Sequence, residues 1–141
     1  MISTEAWPQP AVRLWTLAQR FQKFLLVGAF GLAVNQAMLY GLRDFAHMRL
    51  LVASPLAIVV SMLVTFMLNE LWTWHDRGSG RILTRAVLYL LVNSGGLLIN
   101  TATLWLLVQH GDLHYLMANL VGAATAAVWN FAVNNAITWR A

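Results

Sequence analysis

The sequence contains no cysteine, three prolines and five acidic residues among 141. Without cysteine there is no disulfide and no thiolate metal site, although the compartment stays open. Charge of either sign is scarce: 10% of residues are charged, 60% are apolar and the mean hydropathy is +0.64. That leaves too little polar surface to coat a soluble globule, so the chain belongs in a membrane. No ionisable group lies near the middle of an apolar stretch. Glu70 comes nearest, within about one turn of a stretch's end. A proton-coupled exporter of cations needs such a mid-membrane carboxylate, so this class is disfavoured. Paired acidic motifs for a nucleotide-sugar metal, His/Asp/Glu clusters at ligand spacing and a Gly-rich phosphate loop are also missing. The sequence therefore gives no sign of an enzyme and implies no cofactor. His47, His75, His110 and His114 fall between apolar stretches and read as solvated surface residues.

Four apolar stretches are present, roughly residues 24–42, 52–72, 86–108 and 115–139. Each approaches the ~20 residues that a spanning helix requires. The expected fold is an all-α membrane protein of four transmembrane helices with no room for a soluble catalytic domain. The first stretch is about 19 residues, longer than the h-region of a secretory signal, and no small-residue cleavage site closes it. Residues 1–23 read as an N-terminal tail followed by a short amphipathic helix from Ala11 to Lys23, either lying on the membrane surface or forming the frayed start of the first span. Seven of the nine Lys and Arg residues (Arg13, Arg20, Lys23, Arg77, Arg81, Arg85 and Arg140) flank the spans on one side, and only Arg43 and Arg49 lie on the other. The positive-inside rule then predicts that both termini are cytoplasmic. The net charge of +4 suits anionic lipid headgroups, and the basic residues form no stripe interleaved with aromatics, so no nucleic acid is expected.

The strongest pattern is internal. Phe66, Asn69, Thr73 and Trp74 return 65 positions later as Phe131, Asn134, Thr138 and Trp139. At the same offset Phe24-Leu25-Leu26-Val27 returns as Tyr89-Leu90-Leu91-Val92, Gly31-Leu32 as Gly96-Leu97, Asn35 as Asn100 and Arg20 as Arg85. A register kept without a gap across separated stretches predicts a tandem duplication. Repeat one covers residues 24–74 and repeat two residues 86–141, with a basic connector over 75–85. Each repeat holds two spans, so both enter the membrane the same way and any symmetry axis runs along the membrane normal.

Two groups of polar residues carry the candidate chemistry. Gly28, Gly31 and Asn35 lie on one face of the first span, and Asn93, Gly96 and Asn100 on one face of the third. Near the basic ends stand Asn69 on the second span and Asn130 and Asn134 on the fourth. Stripes of small and amide residues serve either helix packing in lipid or a polar furrow, and both readings stay open here. Trp72, Trp74 and Trp139 stand just beyond and read as interfacial anchors. The second group is cationic: Arg20, Lys23, Arg85 and Arg140 sit at the same ends, where Arg binds phosphate bidentately or simply sets topology.

Arg20-Phe21 ahead of Phe24-Leu25-Leu26-Val27-Gly28, then Phe66-x-x-Asn69-x-x-Trp72-Thr73-Trp74, then Asn130-Phe131-x-x-Asn134-x-x-x-Thr138-Trp139, together resemble the GtrA-like family over about residues 20–140. These are small four-span proteins, also found as the membrane part of some dolichol-phosphate mannose synthases. This chain departs from the pattern after the span-ending Asn, where members often carry Arg or Lys and Glu70 and Asn135 stand here. The resemblance implies movement of a polyprenyl-phosphate-linked sugar, such as undecaprenyl-phosphate glucose, across the bacterial inner membrane for modification of cell-envelope polysaccharide. In that reading Arg20, Lys23, Arg85 and Arg140 are the phosphate candidates, and Asn35, Asn69, Asn93, Asn100, Asn130 and Asn134 line the path of the sugar. Four short spans make a small furrow, so a homo-oligomer is expected. The alternative is a non-transporting anchor or accessory subunit of a polyprenyl-phosphate glycosyltransferase.

Overall fold

The computed structural model describes residues 5–140, apart from the side chains of Tyr115 and Leu116; residues 1–4 of the expected tail and Ala141 lie outside the described residues. It is built of helices, and no strand occurs among the described residues. Helix α1 covers Gln9–Tyr40 and continues through a π-helical turn, Gly41–Phe45. Helix α2 covers Leu50–Leu68 and ends in a second π-turn, Asn69–Thr73. Helix α3 covers Ile82–His110, and α4 covers Tyr115–Val133 before a third π-turn, Asn134–Thr138. Four helices over Gln9–Phe45, Leu50–Thr73, Ile82–His110 and Met117–Thr138 are long and apolar enough to cross a membrane. Leu26, Leu32, Leu63, Leu91, Leu98 and Leu120 are exposed, as expected of side chains that face lipid instead of water.

The start of α1 settles how the amphipathic stretch is built. Pro10 stands in the first turn, where its missing N–H is no loss, and the helix then runs unbroken for 32 residues, about 48 Å at 1.5 Å per residue. Ala11 to Lys23 is therefore continuous with the first span. The helix begins at Gln9, two residues before the Ala11 expected for the amphipathic helix.

The chain divides after His75 into two compact units, one formed by α1 and α2 and the other by α3 and α4. The helices of each unit pack along a seam of small residues, because a side chain of any size would hold the backbones apart. In the first unit a Cβ on Gly31 would overlap Thr65 Cγ2, and Ser61 Oγ donates to the Gly31 carbonyl at 2.8 Å. Ala53 and Ala57 complete the buried seam. In the second unit the Asn130 carboxamide lies against Gly96 and that of Asn100 against Gly122, each where a Cβ would stand. Trp129 Nε1 crosses the same seam to donate to the Val92 carbonyl at 3.2 Å. Neither Asn100 Oδ1 nor Asn130 Oδ1 meets an N–H or O–H donor among the described residues. The glycine they touch offers Cα–H groups, the weak donors that suit close helix crossings.

A Cβ on Gly122 would come within 2.9 Å of the backbone carbonyl of Asn100 as well as overlapping its side chain, so the contact cannot relax by a rotamer change alone. Gly28, with nothing within 4 Å of its Cβ position, is the control. Gly122→Ala is expected to lower stability by about 1–3 kcal/mol in detergent unfolding, while Gly28→Ala leaves the midpoint unchanged or raises it.

Candidate functional site at the basic helix ends

In the first unit the Asn69–Thr73 turn brings the end of α2 level with Lys23 and Phe24 of α1. The bond that makes the turn wide runs from Trp74 N–H to the Asn69 carbonyl at 2.9 Å, five residues apart. Inside it Thr73 Oγ1 donates to Asn69 Oδ1 at 2.8 Å, with both side chains buried. The extra residue in a π-turn rotates the next residues of the chain away from the direction an α-helix would give them. Trp74 consequently points inward, 0% exposed, with its ring edge-on to Phe24 at 5.8 Å.

The second unit repeats this arrangement bond for bond. Trp139 N–H reaches the Asn134 carbonyl at 2.9 Å, Thr138 Oγ1 donates to Asn134 Oδ1 at 2.7 Å, and Trp139, 1% exposed, meets Tyr89 edge-on at 5.7 Å. Trp74 and Trp139 are thus internal plugs and not interfacial anchors. Of the three tryptophans read as anchors, Trp72 alone is exposed, at 44%.

The cations are distributed unevenly around these ends. Arg20 and Arg85 are 8% and 7% exposed, one helical turn before Phe24 and Tyr89 respectively. Arg85 Nη1 donates to the carbonyls of Ser79 at 2.9 Å and Gly80 at 3.0 Å, tying the connector to the first turns of α3. Gly80, at φ +81°, adopts the backbone this approach requires. Arg77 donates from Nη1 to Asn135 Oδ1 at 3.1 Å and, more weakly, to the Trp139 carbonyl at 3.5 Å, so the connector also grips the end of α4. Lys23 is half-buried with Nζ 5.6 Å above the Trp72 ring, and Arg140 is exposed.

One chain thus makes a tryptophan-sealed helix end with nearby cations twice, and the motif residues of both ends fall within a known domain. Residues 23–139 match the model of the GtrA/DPMS transmembrane domain. The chain belongs to that family. It is also 31% identical over 120 residues to a dolichol-phosphate mannosyltransferase of Pyrococcus furiosus. That match takes in 85% of this chain and 34% of the mannosyltransferase, so the chain spans about a third of that relative's length.

Within this GtrA/DPMS domain the candidate amides separate into two kinds. Asn69 and Asn134 are sealed under the tryptophans as parts of the two turns. Asn35, Asn93, Asn100 and Asn130 are half-buried along the spans, Asn93 bonding back to the Tyr89 carbonyl at 2.8 Å. The signal that separates them in the sequence is the threonine four residues after Asn69 and Asn134, which recurs at the same offset and takes up the amide oxygen; read without it, both amides look like cavity residues. No group of His, Asp and Glu among the described residues is placed to hold a metal ion.

Replacing either turn threonine leaves a buried amide oxygen without its donor. Thr73→Val and Thr138→Val should each cost on the order of 1–3 kcal/mol. Tryptophan fluorescence should shift toward that of a wetter indole, read against Thr16→Val, whose hydroxyl bonds an exposed turn of α1.

Proposed function

We propose that this GtrA/DPMS domain moves a polyprenyl-phosphate-linked sugar across the membrane. The observation that carries the reading is the gathering of Arg20 and Lys23 in one unit, and of Arg77, Arg81, Arg85 and Arg140 in the other, at the ends closed by Trp74 and Trp139. A phosphomonoester or phosphodiester at the headgroup level is best matched by guanidinium and ammonium donors. Arg81 and Arg140 are exposed to it and Lys23 is half-buried, while Arg20 and Arg85 contribute fixed charge from within each unit. Asn35 and Asn93, half-buried along the spans, and the amide nitrogens of Asn100 and Asn130, whose oxygens lie enclosed in the seam, offer the groups that sugar hydroxyls require away from water. The isoprenoid tail stays in lipid along the exposed leucine faces. The family and the dolichol-phosphate named in the relative support this class of lipid.

The same reading includes a tandem duplication, supported by the recurrence of each turn contact 65 residues on, and both termini on the cytoplasmic side of a bacterial inner membrane, supported by the placement of seven cations. It also includes assembly of several copies, since two helical pairs enclose little space.

A second reading, in which the chain is the membrane subunit of a polyprenyl-phosphate glycosyltransferase, is favoured by the relative of which this chain spans a third. Reconstitution separates the two. Proteoliposomes holding the purified chain alone are expected to make undecaprenyl-phosphate glucose from the inner leaflet accessible to an external glucose-modifying enzyme faster than protein-free vesicles. Equal rates would defeat the transport reading, and co-purification with a glycosyltransferase would then favour the second.

A further inference from the structure

The two units share a scaffold down to individual bonds, so the places where they differ separate what the fold requires from what it does not. Arg20, Phe24, Asn69, Thr73 and Trp74 all have structural counterparts 65 residues on. Lys23 and Trp72 do not: the corresponding residues of the second unit are Leu88 and Ile137. The second unit nevertheless forms the same π-turn, the same buried Asn–Thr bond and the same edge-on aromatic contact. The Lys23–Trp72 pair is therefore dispensable for building a unit.

Its chemistry suits a headgroup. The Lys23 ammonium stands 5.6 Å from the Trp72 ring centroid, where the ring's negative face attracts a cation and orders an otherwise flexible side chain. Beyond the indole, an ammonium keeps donors for a phosphate oxygen. Trp72 itself is 44% exposed, a broad aromatic surface in a membrane-interface position. The C–H groups on one side of a pyranose ring are attracted to such a surface as the ammonium is. His75, whose Nδ1 lies 3.1 Å from the Trp72 carbonyl, adds a polar group to the exposed end of the same turn.

Resting on the transport reading above, we propose that Lys23 and Trp72 form a headgroup site for a pyranosyl phosphate on the first unit, with Lys23 holding the phosphate and Trp72 stacking on the sugar. The second unit, with Leu88 and Ile137, has no equivalent. Sugar recognition is thus one-sided, although the π-turn beneath it occurs in both units.

The test measures binding of undecaprenyl-phosphate glucose and of undecaprenyl phosphate to the full chain in detergent. Trp72→Ile and Lys23→Leu copy the second unit and should keep the wild-type unfolding midpoint. Trp72→Ile is expected to weaken the glucosylated lipid by about threefold to tenfold more than the bare phosphate, which loses only the ordering of Lys23 by the ring. Trp72→Phe should restore most of the loss, and Lys23→Leu should weaken both lipids. If Trp72→Ile binds both lipids as the wild type does, or loses both equally as an interfacial anchor would, the sugar platform is overturned while the transport reading stands. Wild-type protein that binds neither lipid would overturn the transport reading, and this site with it.

Discussion

A buried polar side chain must find a partner, and each unit of this protein meets that constraint inside the last turn of its second helix, where a threonine hydroxyl donates to a buried amide oxygen. Asn69 and Asn134 accept from the threonine one turn on, and their carbonyls accept the tryptophan N–H beyond it. Much else depends on the widened turn. It rotates Trp74 and Trp139 inward onto Phe24 and Tyr89, which fixes the level at which α1 meets α2 and α3 meets α4. It also leaves Trp72 facing outward beside Lys23. A single substitution in the Asn–Thr pair therefore reaches the packing of the helices and the exposed surface of the same end.

Along the seams the two units use different chemistry at corresponding places. The first closes on Gly31 with the hydroxyls of Ser61 and Thr65, which bond to backbone carbonyls and leave an apolar contact. The second places whole carboxamides, Asn100 and Asn130, against Gly122 and Gly96. Amides are larger and keep unspent hydrogen-bonding capacity, so the second seam is the more polar of the two. Division of labour between the units is consistent with this: a polar seam in one, a lysine–tryptophan surface on the other.

The sequence made the number of helices legible because lipid demands long apolar runs, and the offset of 65 exposed the recurring turn residues before any geometry was known. What it hid has physical causes. A π-turn has no strong composition signal, so Trp74 and Trp139 looked like interfacial anchors; only the i→i+5 bond reveals that they turn inward. Asn69 and Asn134 looked like cavity residues for the same reason. Continuity of α1 through Lys23 was one of two readings the sequence left open, because polar residues interrupt apolar periodicity without breaking a helix. Arg77 read as one more topology-setting cation, because a contact with Asn135 across 58 residues leaves no trace in local pattern.

For transport of a sugar phosphate, the tryptophan-sealed, basic end of each unit must face the side where the lipid is loaded, with the opposite loops across the membrane. Because the chain lacks cysteine, single substitutions report this directly. Ser79→Cys, in the basic connector, and Asp112→Cys, in the loop between α3 and α4, would be labelled with a membrane-impermeant maleimide in whole spheroplasts and in inverted membrane vesicles. The cysteine at position 79 is predicted to react only in inverted vesicles and the one at 112 only in spheroplasts. The reverse pattern, or equal labelling of each site in both preparations, would contradict loading at the basic ends.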